Sequence, residues 1–192
     1  MATATRTLAC ISPEEFLERP DRERHELFDG EGELVEMTVS SFEGPAIAGR
    51  LITRWQHFGD ARAAGMVMTG EATCQSYSDD PNRIRRPDVG FIRKGSLFPE
   101  QLDHVHWAIP PDVDVDSSND ILIDVERENQ EYLAAGVEPV WTIRPQSRSA
   151  AVHRLRGKGE RFEGDAVVLG ESVHPDFEVR VSELFPHKSA VL

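Results

Sequence analysis

Lysine is scarce in this chain. There are three among 192 residues, Lys94, Lys158 and Lys188, and none between positions 95 and 157. No chemistry that depends on a lysine can be placed in that middle stretch. Basic residues as a whole are outnumbered, 21 Lys and Arg against 34 Asp and Glu, for a formal net charge of −13. That excludes a protein that coats nucleic acid through a broad positive surface, though not one with a local basic groove. Cysteine occurs twice, at Cys10 and Cys74. Two are too few for a disulfide scaffold, and they lack paired metal-ligand spacing. Free thiols in a reducing cytoplasm are expected. No run approaches the ~18 consecutive apolar residues that would span a bilayer, and no N-terminal apolar stretch reads as a signal peptide. The expectation is a soluble, cytoplasmic protein with no membrane partner. A Gly-rich phosphate loop and a Gly-x-Ser-x-Gly elbow are also missing.

With 39% hydrophobic and 29% charged residues, a packed core is expected rather than disorder. The length suits one domain over 1–192, with residues 1–40 as a helix-and-hairpin extension and 41–192 as the core. Residues 1–10 read as a loose start. Ser12-Pro13-Glu14-Glu15 is a helix-start signature with a capping box, and that helix ends near Arg19, before Pro20. His25 to Phe28 and Leu34 to Val39 read as a β-hairpin around Asp29-Gly30 and Gly32. Ile47, Leu51, Ile52, Trp55 and Phe58 fall at helical spacing over 45–64, with Gly65 as a stop. Strands are expected near 66–77, 86–93 and 111–116. The loop from Lys94 to Pro111 resists assignment. A second helix over 120–135 stops at Gly136. Val140 to Ile143 and Ala150 to Leu155 read as strands, followed by a strand pair near 160–170 and 176–181 and a last turn, Ser182 to Phe185. The order predicts a mixed α/β sheet flanked by helices, neither a regular βαβ alternation nor an all-β fold.

The most informative pattern is Asp112-Val113-Asp114-Val115-Asp116, which follows Arg86-Pro87-Asp88. In an extended strand its three carboxylates share one face. Like charges this close repel unless a cation, a basic partner or water relieves them. A divalent metal held by oxygen ligands is one such relief. Arg83, Arg85, Arg86, Arg93 and Lys94 cluster on both sides of Asp88, either as a solvated strand edge or as a surface for phosphates. His104 and His106 would share a strand face, but no third His or Cys stands near them, so a polar loop edge is the preferred reading. Glu26, Glu33 and Glu36 read as solvated hairpin positions, and Trp55, Trp107 and Trp141 as core.

Seven segments in order resemble the Uma family, a bacterial branch of the PD-(D/E)XK nuclease superfamily with a restriction endonuclease-like fold. They are Ser12-Pro-Glu-Glu-Phe-Leu17, His25-Glu-Leu-Phe-Asp-Gly30, Gly32-Glu-Leu-Val-Glu-Met37, Arg86-Pro-Asp-Val-Gly-Phe91, Pro110-Pro-Asp-Val113, Glu131-Tyr-Leu-Ala-Ala-Gly-Val137 with Val140-Trp141, and Val181-Ser-Glu-Leu-Phe185. The resemblance implies a central mixed sheet with a helix on each side. It also implies a site of two acids and a lysine that uses Mg²⁺ or Mn²⁺ to hydrolyse the phosphodiester bonds of DNA. Carried over, Asp88 is the first acid and Asp116 the second, these two being the metal ligands, with Asp114 the alternative if the register slips by two. Nucleases of this type often pair subunits, which implies a homodimer with the hairpin as its interface.

Two features depart from the pattern. Ser117-Ser118-Asn119-Asp120 replaces an apolar-Ser-Pro-Ser segment and is shorter. The position of the lysine is Glu128. Arg127 is adjacent but points to another side of the helix and stays charged, and Lys94 reaches the site only if the chain after Asp88 curls back. Two readings remain open. One is a metal-dependent endonuclease with a degenerate site, in which Asp88, Asp116, Asp114 and Arg127 are the catalytic candidates. The other is an inactive nuclease-fold protein acting as a binding or assembly module.

Overall fold

The computed structural model describes residues 6–22, 25–27, 33–36, 42–70, 72–75, 80, 82–103, 113–116, 122–157, 159–171 and 173–187. For 6–10, 26, 33, 35, 36, 101, 103, 113–116 and 122–124 it describes backbone alone.

Ser12 opens the first helix as its sequence predicts. Its hydroxyl accepts from the Glu15 N–H at 3.2 Å, and the Glu15 carboxylate accepts from the Ser12 N–H at 2.8 Å. These reciprocal bonds satisfy donors at the helix start, and α1 runs Pro13–Glu18. Strand β1 is Arg6–Cys10, β2 is His25–Leu27 and β3 is Glu33–Glu36, and they form an antiparallel sheet in the order β1-β3-β2. The hairpin is as expected, but the loose start is corrected: Arg6–Cys10 pairs with β3. The open edge of β3 offers a row of unpaired backbone groups that a third strand satisfies. Phe16, Leu27, Leu34 and Ile84 pack together beside it. A bridge from Leu27 to Ile84 ties this sheet to the segment that leads into Asp88.

Helix α2 spans Glu43–Arg62 and buries Ile47, Leu51, Trp55 and Phe58 along one stripe. Its stop is Ala63 rather than Gly65, with Ala63 in the left-handed conformation at φ 49°. Gly65 is needed elsewhere. A Cβ there would lie 2.1 Å from the Ile92 carbonyl oxygen and 2.5 Å from the Phe91 ring, so the strand that follows the helix can lie close only without a side chain.

That strand, β4 (Gly65–Thr69), is one edge of a six-stranded sheet. Beside it in order stand β5 (Val89–Arg93), β6 (Val113–Asp116), β7 (Val140–Arg144), β8 (Ser149–His153) and β9 (Glu160–Glu163). Only β6 and β7 run parallel, joined through α3 (Leu122–Ala134); the other neighbours are antiparallel. On one face Val89, Phe91, Trp141 and Ile143 pack against the α2 stripe, with the rings of Trp55 and Trp141 5.5 Å apart. Trp55 and Trp141 are therefore core, as read from the sequence; Trp107 lies outside the described residues. On the other face Val140 packs against Tyr132, Leu133 and Val137. The expected strand pair near 160–170 and 176–181 divides in two: β9 extends the main sheet, while β10 (Val167–Leu169) pairs with β11 (Glu178–Arg180) ahead of α4 (Val181–Leu184). Among the described residues no helix is long and apolar enough to cross a membrane.

Candidate active site

Strand register puts the two acids at the same end of neighbouring strands. Across β5 and β6 the partners are Val89 with Val115, Gly90 with Asp114 and Phe91 with Val113. Asp88 directly precedes Val89 and Asp116 directly follows Val115, so continuing the register by one step would set the two acids opposite each other. Directly opposed positions on neighbouring strands have Cβ atoms about 5 Å apart. Asp116 pairs in turn with Thr142 on β7, and Asp114 with Val140. Asp116 and Thr142 thus lie side by side on β6 and β7 at the end of the sheet where Asp88 leads into β5. Asp88 is half-buried there, and the β4 end at Gly70 runs past its backbone. Asp112, His104 and His106 lie outside the described residues. Glu26, Glu33 and Glu36 fall on β2 and β3. Among the described residues no three His, Cys, Asp or Glu side chains form a metal-binding group; the side chains of Asp114 and Asp116 are not part of that description.

Helix α3 is held over β7 by a buried polar pair. Asn129 sits among its apolar positions and donates from Nδ2 to Thr142 Oγ1 at 3.0 Å, with both residues buried. That bond fixes how the helix is turned. One flank carries Glu126 toward His153 on β8, where burial pushes the imidazole pKa down and Glu126 acts against it. The opposite flank carries Glu128 and Glu131 at i, i+3 spacing, and Glu131 meets Arg83 and Arg85 in the segment before Asp88. Glu128, at the position expected for lysine, is half-buried. Arg127 is one residue and about 100° away around the helix. It is more exposed, and its Nε donates to Glu131 Oε1 at 3.1 Å.

The basic cluster read from the sequence does not form one surface. Arg85 is fully buried and pairs through Nη2 with Glu131 Oε2. Arg86 is 8% exposed. Arg83 reaches Asp80 at 3.4 Å and Glu131 at 3.9 Å. In an interior position a guanidinium costs too much to leave unpaired, and Glu131 neutralises this group while fastening α3 to it. Arg93 and Lys94 are exposed at the far end of β5. The Lys94 N–H donates to the Ala64 carbonyl at 2.7 Å, which holds its backbone away from Asp88. A curl back to the acids is therefore not how this chain is built.

A family model described as "Putative restriction endonuclease", Uma2, matches residues 13–182. The chain belongs to the Uma2 family. No curated protein matches it. A crystal structure of a "putative nuclease belonging to DUF820" from Anabaena variabilis is similar in fold, with a TM-score of 0.76 at 19% identity over 91% of this chain and 97% of that one. The mixed helix-and-sheet architecture expected from the sequence is thus shared with a solved structure. Two features of this Uma2 chain escape a sequence reading. Glu131 opens a family segment, yet its role as the partner of Arg85 needs contacts across 46 positions. Asn129 carries a fainter signal, a polar residue four positions from Val125 and from Leu133 on an otherwise apolar helix face.

Proposed function

We propose that this protein is a divalent-metal-dependent endonuclease that hydrolyses phosphodiester bonds of DNA. The observation that supports the reading is the β5–β6 register, whose Val89–Val115 pair is flanked in sequence by Asp88 and Asp116, in a chain of the Uma2 family. The donor set fits Mg²⁺ or Mn²⁺: the paired positions offer oxygen only, and magnesium is held by one or two carboxylates while keeping waters and substrate phosphates. Asp88 and Asp116 would hold the ion, with Asp114 the next acid along the strand. A cation bound there polarises a phosphate and lowers the pKa of a coordinated water. The residues of α3 supply the rest. Glu128 accepts a proton or a hydrogen bond from water but adds no positive charge. Arg127 offsets phosphate charge but, staying protonated, does not shuttle protons. Slow turnover follows from that combination.

The half-buried Glu128 favours a second reading, an inactive nuclease-fold protein that binds or assembles. Plasmid DNA incubated with the protein in Mg²⁺ or Mn²⁺ separates the two. The endonuclease reading expects nicking that Asp88→Ala abolishes and that Glu128→Lys raises by about tenfold or more, since a positioned charge of this kind contributes on the order of 10²–10³. If wild type and Glu128→Lys are both inert with either metal, the binding role stands instead.

A further inference from the structure

Arginines withdrawn from water in this protein meet a partner, with one exception. Arg83 and Arg85 reach Glu131, Arg54 reaches Glu183 and Arg154 reaches Glu171. Arg144 is half-buried as well, yet among the described residues nothing forms a hydrogen bond or ion pair with its guanidinium. A charged group in such a position ordinarily takes a partner, so an open one points to an anion that arrives from outside. Arg144 closes β7, two residues beyond Thr142. Thr142 faces α3 through its bond from Asn129, and alternate strand positions share a face, so Arg144 stands on the α3 side. His153 on β8 senses charge from both: burial lowers its pKa, Glu126 opposes that and Arg144 adds to it. Glu126 and Arg144 nevertheless form no ion pair with each other.

Its place in the sheet says which anion. Strand β7 runs parallel to β6, and Asp116 is the register partner of Thr142, so Arg144 and Asp116 lie at the same end. With strands ~4.8 Å apart and a rise of ~3.3 Å per residue, the two backbones stand about 8 Å apart on the diagonal. Asp88 leads into β5 at this end, and Glu128 precedes the Asn129 that is bonded to Thr142. In a chain of net charge −13, a phosphate approaching these acids is repelled unless fixed positive charge offsets them. Other cations are committed or distant: Arg83, Arg85 and Arg127 to Glu131, Lys94 at the far end of β5. A guanidinium matches two phosphate oxygens with parallel N–H bonds and never loses its charge. We propose that Arg144 binds a backbone phosphate of the DNA strand presented to this end of the sheet, supplying the positive charge that Glu128 does not. The assignment rests on the endonuclease reading above for its substrate.

The test is fluorescence anisotropy with a labelled blunt DNA duplex in Ca²⁺, so that no cleavage is required, across a salt series. Arg144→Ala should weaken binding by about tenfold and lower the salt slope by about 0.9, one phosphate contact, while keeping the wild-type thermal midpoint. Arg144→Lys retains the charge and should retain the slope. Arg156→Ala, on an exposed arginine beyond the opposite end of β8, should change neither quantity. Should Arg144→Ala fail to fold, Arg144→Gln is read in its place. Affinity and slope unchanged in Arg144→Ala, an equal loss in Arg156→Ala, or a slope that falls as far in Arg144→Lys as in Arg144→Ala would each overturn the inference. So would wild-type protein that binds no duplex. Arg144-dependent binding by a protein that never nicks plasmid in Mg²⁺ or Mn²⁺ would keep the phosphate site and remove only the endonuclease reading.

Discussion

Arg85 is the residue on which the surroundings of the site turn. Its guanidinium has no access to solvent, and its partner Glu131 is 12% exposed in its side chain. Removing one member of such a pair strands the other charge in a medium that solvates it poorly. The cost is about 3–5 kcal/mol, whereas replacing both by apolar groups of similar volume is often neutral. Glu131→Gln is expected to lower unfolding stability by that amount in urea titrations, and the double variant Arg85→Met/Glu131→Leu to recover most of it. A loss below ~1 kcal/mol in the single variant would show that Arg83 and Arg127, which also approach Glu131, are not organised by it. Glu128 stands one helical turn before Glu131 on the same flank. On the endonuclease reading, an acid at the position expected for lysine is the residue-level reason to expect slow turnover.

Elements place these residues through a few close approaches. Helix α2 and β4 meet where the Ala64 N–H donates to the Gly59 carbonyl at 2.9 Å, and Gly65 fits because nothing projects from it toward Ile92. In Gly65→Ala the new methyl meets backbone rather than a movable side-chain end, so the strand edge must shift. A loss of about 1–3 kcal/mol is expected, the usual cost of overpacking, read as a lower thermal midpoint. An unchanged midpoint would mean that β4 is free to slide. On the other face, the Asn129–Thr142 bond orients α3 over Thr142, the register partner of Asp116. Much of this was legible locally. The Ser12 capping box, the α2 stripe and the turn at Gly136 need only neighbouring residues. The β1 pairing with β3 was not legible, because its cause is an unsatisfied edge more than 20 positions away. Nor was the stop at Ala63, since the glycine that looks like a helix end is claimed by packing against β5.

At the scale of the molecule, the antiparallel pairing of β5 with β6, in a sheet with α2 on one face and α3 on the other, brings the strand ends that carry two distant acidic motifs side by side. The sequence singles out Asp88 and Asp116 through their motifs, and the topology supplies the adjacency. It also divides the basic cluster that the sequence presents as continuous. Arg83 and Arg85 turn toward Glu131 of α3 and Arg86 is buried, while Arg93 and Lys94 remain on the surface at the other end of β5, because the strand residues Val89 to Ile92 separate the two groups. No local pattern distinguishes an arginine that meets water from one that meets a buried carboxylate. The claim that matters most is that Asp88 and Asp116 share one divalent cation. Electron paramagnetic resonance of free Mn²⁺ during titration with the protein tests it without substrate or turnover. The account predicts uptake of one Mn²⁺ per chain, lost in Asp88→Asn and equally in Asp116→Asn while both variants keep the wild-type thermal midpoint without metal. Uptake unchanged in either variant would contradict it.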